Sequence, residues 1–322
     1  MKTEPACLNS SVASRLAVLA GVLLMGASSA IAADAPAAPR PAPAGVRLTV
    51  HPIREGKLYW IEGGGGNSGV IIGDKGVVVI DAKTTADAGR ALVAEVAKLT
   101  PKPITQVILT HSDGDHVNGL EGFPDGLKII SHVNTKFELL AVYLYAAVEV
   151  DGGRCLPPAN RIPNRIIFKD RVDTTLEGVK VSFLHFGPAH TSGDLVVYLP
   201  DEKLAFTGDL LTSTVLVHPE KSGSFEGWFN NARGLLRLPA QRYLGGHAGD
   251  FDTKATLQQR IDGYAATRGK VDSLVVEGKT LSEVKAAMGD PAKDASGCRG
   301  IPYPSLAQVE YHERVSRTQE IK

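Results

Sequence analysis

The chain has 322 residues, and its 35 lysine and arginine side chains balance 35 aspartate and glutamate side chains, so its formal charge is zero. This balance gives no electrostatic reason to expect nucleic acid or an anionic membrane surface as the main partner. Hydrophobic residues make up 43% of the chain, which is ordinary for a globular protein, and 34 glycines indicate many tight turns.

The first 45 residues have the composition of a targeting segment followed by a linker. A lysine and an arginine precede a short apolar run, and the segment AIA at 30–32 fits an A-x-A cleavage site. We therefore predict a secretory signal peptide over residues 1–32. A membrane anchor is the alternative, but the unbroken apolar stretch at 16–25 is well under the ~20 residues needed to span a bilayer. The Pro/Ala-rich residues 33–45 predict an extended linker.

Export predicts a periplasmic location, without stable membrane insertion once the signal has been removed. Residues 46–322 are predicted to form a single domain with a C-terminal helical extension, whose oligomeric state the sequence leaves open. Because an exported compartment is oxidising, Cys155 and Cys298 could form one disulfide, and two buried free thiols are the alternative. The spacing of these cysteines fits no cysteine-based metal motif.

The predicted domain begins with four short β-branched runs separated by glycine-rich or charged turns. RLTVHPI, LYWIEG, SGVIIG and GVVVIDA predict consecutive antiparallel strands between residues 47 and 82. The segment GGGGNSG at 63–69 lacks both the Lys-Ser/Thr ending and the following helix of a phosphate-binding loop. A flexible hairpin is therefore the better interpretation.

Helices and strands alternate from residue 84 onward. Apolar residues at helical spacing predict a helix from Thr84 to Leu99, and ITQVILTH is then a buried strand. Further strands are predicted at LKIISH, VKVSFLHF, DLVVYLP, KLAFTGD and QRYLGGH, and further helices at 134–148, 225–238, 253–275, 280–288 and 305–318. Strands interleaved with helices favour an α/β fold of stacked sheets with helices outside.

Four stretches end apolar runs with side chains of the kinds that bind metals. They are THSDGDH (His111, Asp113, Asp115 and His116), GPAHTSGD (His190), FTGDLL (Asp209) and GGHAGD (His247). Each lies just after a predicted strand, where a loop can direct side chains into a cleft. Imidazole suits zinc and iron, and carboxylate can bridge two cations. One strand-end histidine alone is more often structural, but this combination favours a metal site.

The order and spacing of these four motifs resemble those of the metallo-β-lactamase-fold superfamily of metal-dependent hydrolases, over roughly residues 47–260. The first motif of that superfamily is H-x-H-x-D-H. The resemblance implies a four-layer αββα sandwich with a dinuclear site between the sheet ends. By motif position it implies a first metal held by His111, Asp113 and His190, a second held by Asp115, His116 and His247, and Asp209 bridging the two.

Asp113 departs from this pattern, because most members of the superfamily have histidine at its position. Two divalent cations with Asp115, Asp209 and a bridging hydroxide would leave one positive charge, which Asp113 would cancel. We therefore expect weaker Lewis acids and a bound water with a pKa above the ~7 typical of catalytic zinc. Two zinc ions remain the expected cofactor, although a harder ligand shifts the preference toward iron or manganese. The alternative is that Asp113 turns away and leaves one site empty.

The implied reaction is hydrolysis of an ester, lactone, thioester or amide bond of a small molecule, by water activated between two cations. Asp115 is the candidate catalytic residue, which would orient this water and relay its proton. The histidine ligands also need hydrogen-bond acceptors on their other ring nitrogens. Asp81, at the end of VVVID, is one candidate acceptor, and a plain strand-end turn is its alternative role.

A β-lactamase is the alternative function. GPAHTSGDLVVYLPDEKLAF resembles the corresponding stretch of true β-lactamases, and a periplasmic location suits an antibiotic-degrading enzyme. Against it, well-known β-lactamase branches carry cysteine or serine at the position of Asp209. Moreover, no lysine follows Asp209 closely in DLLTSTVLVHPE to hold a β-lactam carboxylate. An iron-dependent redox protein and a non-catalytic metal-binding module are further alternatives.

Three other side chains are candidate substrate contacts. His185 lies close to His190 in sequence, and His218 lies in a predicted loop at the edge of the groove. Tyr145 lies on the predicted helix at 134–148, next to an irregular loop that could cover the site; packing of its ring within the fold is the alternative. Structural or surface roles are predicted for His51, His132 and His312, and Trp228 and Phe229 are predicted to face the core.

Overall fold

The computed structural model describes residues 45–149, 162–212, 217–289 and 305–320. The predicted signal peptide, almost all of the predicted linker, Cys155 and Cys298 lie outside these residues, so the processing and the disulfide stay predictions. None of the described helices is long and apolar enough to cross a lipid bilayer.

Seven strands form the first sheet, and they lie in the order in which they occur along the chain. They are β1 (Thr49–Arg54), β2 (Leu58–Glu62), β3 (Ser68–Ile72), β4 (Val77–Ile80), β5 (Ile104–Ile108), β6 (Lys128–His132) and β7 (Arg165–Ile167). Strands β1 to β4 pair antiparallel, as predicted, and β4 to β7 pair parallel. Parallel neighbours need crossover connections, which contain the helices α1 (Ala86–Leu99), α2 (Gly114–Val117) and α3 (Val133–Glu149).

The second sheet has five strands in the order β12-β11-β10-β9-β8. They are β8 (Arg171–Leu176), β9 (Val179–Leu184), β10 (Val196–Leu199), β11 (Leu204–Gly208) and β12 (Arg242–Gly245). Neighbouring strands are antiparallel except β11 and β12, which are parallel and are joined through the helix α4 (Phe225–Arg237).

Three hydrophobic clusters define four layers. The central cluster contains side chains from both sheets, such as Ile108 from the first and Phe206 from the second, so the two sheets pack face to face. A second cluster joins the outer face of the first sheet to Leu92 on α1. A third joins the outer face of the second sheet to α4 and the later helices, and it contains the buried Trp228 and Phe229. The predicted αββα sandwich is confirmed.

The C-terminal helices are α5 (Lys254–Val276), α6 (Leu281–Met288) and α7 (Leu306–Glu320). Their bounds agree with the predicted bounds to within one or two residues. The agreement has a local cause at the helix starts, because Ser224, Thr253 and Thr280 accept hydrogen bonds from backbone N–H groups of the first turns of α4, α5 and α6.

The short elements β7, β8 and α2 were not predicted from the sequence. Strand β7 has three residues and α2 has four, too few for a hydrophobic period to appear. Strand β8 lies at the edge of its sheet, and only Leu176 among its six residues is buried. An edge strand of this kind carries little of the apolar alternation that identifies a strand in sequence.

Candidate metal centre

The predicted ligands follow strands that end at one edge of the sandwich. Strand β5 leads through Leu109 and Thr110 into His111–His116, and β11 leads directly into Asp209. His247 follows β12, and His190 lies on the connection between β9 and β10. Segments that directly follow strands therefore carry six of the seven predicted ligands, and a loop between two strands carries His190.

Asp115, His116 and His247 form one group, whose ligand atoms lie within 4.8 Å of one another. The Oδ2 atom of Asp115 is 3.0 Å from Nε2 of His247 and 3.8 Å from Nε2 of His116. These are the three residues that the sequence motifs assign to the second metal.

Asp113 lies among the histidines of the other group. Its Oδ2 atom is 3.1 Å from Nε2 of His190 and 3.7 Å from Nε2 of His111. The side chain thus faces the same point as the two histidines. The structure brings together the three residues that the motifs assign to the first metal.

Asp209 lies between the two groups. Its Oδ1 atom is 3.2 Å from Nε2 of His116, and its Oδ2 atom is 3.2 Å from Nε2 of His247 and 3.9 Å from Nε2 of His190. A carboxylate with oxygens facing both groups has the arrangement that a bridging ligand requires.

Exposure differs between the two groups. The side chains of His111 and His190 are each 1% exposed, whereas those of Asp115 and His247 are 29% and 39% exposed. Solvent therefore reaches the centre from the side of Asp115 and His247. A substrate would approach from the same side.

The carboxylates and histidines of the centre shift one another's pKa values. Burial disfavours charge on Asp113, but the proximity of three histidines, His111, His190 and His218, keeps its pKa well below its usual range. Burial also disfavours charge on His190, yet its hydrogen bond to Asp113 raises its pKa to about 9. Hydrogen bonds to Asp115 and Asp209 raise the pKa of His247 to about 10. A cation that binds here must displace protons from these histidines.

The donor set fits divalent cations. Among the described residues, the buried Nε2 atoms of His111 and His116 and the buried Oδ1 atom of Asp209 make no hydrogen bond of normal geometry, although the last two atoms are 3.2 Å apart. Buried polar atoms in proteins almost always have a hydrogen-bond partner, and ion binding is one explanation for a buried atom that has none. Imidazole nitrogens combined with carboxylate oxygens suit zinc, and they also suit iron or manganese.

Asp81 supports the loop that carries His111 and His116, which is one of the two roles predicted for it. The residue has a left-handed backbone conformation with φ of 60°. Its carboxylate accepts hydrogen bonds from the backbone N–H and the hydroxyl of Thr110, each at 2.8 Å. It also lies 2.8 Å from Nδ1 of His116, which directs Nε2 of that ring toward Asp115 and Asp209.

Asp194 organises the loop that carries His190. Its buried carboxylate accepts hydrogen bonds from the backbone N–H groups of Ala189, His190 and Thr191, and from the hydroxyl of Thr191. Asp194 lies in the segment GPAHTSGD, but no role was predicted for it. Its signal was a short acceptor side chain in a loop that also contains serine and glycine, where aspartate often bonds backbone N–H groups.

The glycine-rich turn between β2 and β3 is fixed against the ligand loop. The ammonium group of the fully buried Lys83 donates to the carbonyl oxygens of Ile61 at 2.7 Å and Gly66 at 2.8 Å. The N–H of Gly66 donates to the carbonyl of Asp115 at 3.0 Å. A Cβ atom at position 66 would overlap the imidazole ring of His116. The predicted hairpin therefore also packs against a predicted ligand, His116.

The three candidate substrate contacts have different positions. His218 is buried beside Asp113 and is described further below. His185 is also buried, and its ring stacks on that of His132 with 3.9 Å between centroids. The side chain of Tyr145 lies outside the described part of the chain, so its role stays a prediction.

Lys221 is a contact that the sequence analysis missed. Its ammonium group donates to Oδ1 of Asp113. No motif marked this lysine, because it belongs to a short turn between the motif of Asp209 and that of His247. The carboxylate that replaces the usual histidine thus has a cation beside it.

Comparison with protein families gives a match to the metallo-beta-lactamase superfamily over residues 61–247. Among curated proteins, the 2,4-dinitroanisole O-demethylase subunit alpha of Nocardioides sp. (strain JS1661) is 27% identical over 202 residues, covering 62% of this chain and 57% of that protein. The linear primary-alkylsulfatase of Pseudomonas sp. (strain ATCC 19151) is 26% identical over 184 residues, covering 47% of this chain and 35% of that protein. The chain thus spans little more than half of the first relative and about a third of the second.

Solved structures also resemble this fold. The stereoselective inverting sec-alkylsulfatase Pisa1 from Pseudomonas sp. superposes with a TM-score of 0.63 at 22% identity, over 83% of this chain and 50% of that chain. A metallo-beta-lactamase from Pontibacter korlensis superposes with a TM-score of 0.53 at 20% identity, over 67% of this chain and 98% of that chain. At these identities the likeness concerns the fold alone.

Proposed function

The chain belongs to the metallo-beta-lactamase superfamily, and on this premise we propose that it is a metal-dependent hydrolase of small-molecule esters. The observation that carries the proposal is the convergence of four histidines and three aspartates in two groups joined by Asp209. Two divalent cations, zinc first among them, would supply a Lewis acid and a strong nucleophile at neutral pH when bound.

The protein's own residues would divide the work between binding and proton transfer. We propose that His111, Asp113 and His190 hold the first cation, that Asp115, His116 and His247 hold the second, and that Asp209 contacts both. Asp115 is the partly exposed carboxylate of the centre, and hydrogen bonding to His247 lowers its pKa although burial opposes this. An ionised carboxylate at the solvent side can orient an attacking water and accept its proton.

The proposed substrate class is wider than the sequence motifs suggested. Carboxylate esters, lactones, thioesters and amides were expected, whereas two curated relatives are named as alkylsulfatases and one as an O-demethylase subunit. We therefore propose that sulfate esters belong to the candidate substrates together with carboxylate esters. The chain's neutral overall charge gives no reason to favour a large polyanion over a small molecule.

The test is turnover by the full chain after loading with zinc, manganese or iron(II). The panel contains p-nitrophenyl acetate, p-nitrophenyl sulfate, dodecyl sulfate, a γ-lactone, nitrocefin and 2,4-dinitroanisole. We expect turnover of at least one ester, its loss after chelation, and its loss in Asp209→Asn but not in the buried control Asp252→Asn. Absence of turnover on the whole panel with every metal would overturn the proposal, and turnover of nitrocefin alone would favour the β-lactamase alternative.

We also propose export of the chain, since residues 1–32 have the pattern of a cleaved signal. Mass spectrometry of the protein isolated from the periplasm of a bacterial host is expected to give a mature chain that begins at Ala33. A chain that keeps residues 1–32 in the cytoplasm would contradict this. In the mature protein, thiol labelling before and after reduction tests the proposed Cys155–Cys298 disulfide.

A further inference from the structure

We infer that His218 is a further protein ligand of the first metal, beside His111, Asp113, His190 and the shared Asp209; the inference rests on the metal centre of the proposed function. The motifs that identify the superfamily in this chain do not include His218. Its position follows from the contacts of the loop at 217–224, and these contacts carry the inference.

Three imidazole nitrogens surround one oxygen of Asp113. Its Oδ2 atom is 3.0 Å from Nε2 of His218, 3.1 Å from Nε2 of His190 and 3.7 Å from Nε2 of His111. Ligand atoms of one tetrahedral zinc ion are roughly 3.3 Å apart when each bond is about 2.0 Å long. The three distances between Oδ2 of Asp113 and the histidine nitrogens lie on both sides of that value. The ligand atoms of Asp113, His190 and His218 also lie within 4.8 Å of one another.

The backbone fixes His218 to the loop of another ligand. Its N–H donates to the carbonyl of His190 at 2.8 Å, and the N–H of Ser224 donates to the carbonyl of Ala189 at 2.9 Å. The His218 side chain is 7% exposed. Main-chain hydrogen bonds join the two loops, so the backbone itself holds His218 next to His190.

A carboxylate orients the ring of His218 as metal-binding histidines require. The Nδ1 atom of His218 is 2.7 Å from Oε1 of Glu220. A hydrogen bond to that carboxylate keeps the proton on Nδ1 and leaves Nε2 as the atom that faces Asp113. Histidines that bind metals usually donate their other ring N–H to a carboxylate or carbonyl in this way.

Lys221 accounts for the extra negative charge of Asp113. The ammonium group contacts Oδ1 of Asp113, while the histidines surround Oδ2. The positive charge that Asp113 would cancel is therefore restored by the lysine. One oxygen of the carboxylate is occupied by the ammonium group, and the other is directed at the proposed cation.

With His218 and the shared Asp209, the first site would have five protein ligands, whereas the second site, formed by Asp115, His116, His247 and the shared Asp209, would have four. The second site would therefore keep more room for a substrate. The exposed fractions of the side chains agree with this assignment, because Asp115 and His247 are the solvent-accessible members of the centre. We infer that substrate binds at the second site.

The test counts histidine ligands in the full chain after metal removal and loading with cobalt(II). Paramagnetic proton NMR gives exchangeable, strongly shifted imidazole N–H signals from coordinated histidines. We expect five such signals in the wild type, one for each of His111, His116, His190, His218 and His247. His218→Ala is expected to lose one signal and to bind one of two zinc ions at least tenfold more weakly. The buried control His132→Ala is expected to keep five signals and both affinities.

The outcomes separate this inference from the proposed function. Four signals in the wild type, or unchanged zinc affinities in His218→Ala, would overturn the inference even if the protein hydrolyses esters. Five signals in a protein that turns over no substrate would support the inference and contradict the proposed function. If His218→Ala does not fold, the signal count of the wild type decides.

Discussion

The Oδ2 atom of Asp81 lies 2.8 Å from Nδ1 of His116, although the two residues are 35 positions apart in the chain. Asp81 follows β4 and His116 lies on α2, so this contact joins a strand end to a ligand loop. The carboxylate can only accept hydrogen bonds, and the proton of His116 is therefore held on Nδ1. The Nε2 atom of His116 remains available as a ligand because of Asp81.

We predict that Asp81→Asn weakens metal binding at the second site. An amide can donate to Nδ1 of His116, which moves the proton of the ring to Nε2 and removes the lone pair that a cation needs. Loss of such an orienting acceptor typically costs 10–100-fold in metal affinity. Competition with a chromophoric chelator measures this change. Asp252→Asn, a buried carboxylate outside the centre, is the control, and equal zinc affinities in both variants would refute the prediction.

A second prediction concerns Gly66. Its backbone packs against the ring of His116, and a Cβ atom there would overlap that ring. Gly66→Ala is therefore expected to displace His116 and to weaken the second metal site at least tenfold. Gly249→Ala is the matched control, because a Cβ atom at position 249 meets no other atom within 4 Å. Isothermal titration with zinc tests both variants, and a Gly66→Ala protein that binds like the control would contradict the packing argument.

A third prediction concerns the buried Lys83. Burial lowers its pKa to about 7 in the folded chain, although Asp81 and Glu62 act in the opposite direction. In the unfolded chain the pKa of this lysine is near 10.5. Below about pH 7 the lysine is charged in both states, so the full cost of burying the charge opposes folding. Stability due to this group therefore rises as the pH increases from about 7 to about 10.5, by up to roughly 5 kcal/mol.

Urea unfolding of the chelator-treated wild type and of Lys83→Met measures this effect. The free energy of unfolding of the wild type is expected to rise with pH relative to that of the variant, because other titrating groups are common to both. The exposed Lys98→Met variant is expected to follow the wild type. Parallel pH profiles for the wild type and Lys83→Met would show that Lys83 is not responsible.

A fourth prediction concerns Asp194. Its carboxylate accepts from three consecutive backbone N–H groups at the turn that carries His190. Asp194→Asn replaces one acceptor oxygen by a donor, which repels these N–H groups and leaves buried donors unsatisfied. We expect weaker zinc binding at the first site and a lower thermal unfolding midpoint. Asp173→Asn, at an exposed position, serves as the control, and an unchanged first site in Asp194→Asn would count against this role.

The candidate ligands that follow buried strands were the easiest to recognise in the sequence. Apolar runs end at His111, Asp209 and His247, and a short continuous apolar run is consistent with a buried strand. Asp113 was assigned to the first metal by its position in the motif that resembles the superfamily, and the structure places its carboxylate beside His111 and His190. The alternation of strands and helices predicted stacked sheets with helices outside, and the resemblance to the superfamily implied the four-layer arrangement.

The supporting contacts could not be predicted, because they join loops that are distant in sequence. Lys221 and Asp113 are 108 positions apart, and nothing in either segment indicates the other. Lys83 would ordinarily be read as a surface residue, since lysine is almost never fully buried unless paired. Its burial depends on two carbonyl groups that converge only after the first sheet has formed. Such contacts depend on tertiary structure and leave no local pattern.

The number of metal ions per chain tests the central claim most directly. The full chain is loaded with zinc, freed of excess metal, and measured by mass spectrometry of the element against protein concentration. We predict two zinc ions per wild-type chain, and one or none in Asp209→Asn because its carboxylate faces both groups. A wild-type chain that holds one zinc ion or none under these conditions would contradict the dinuclear centre and the proposed hydrolytic function.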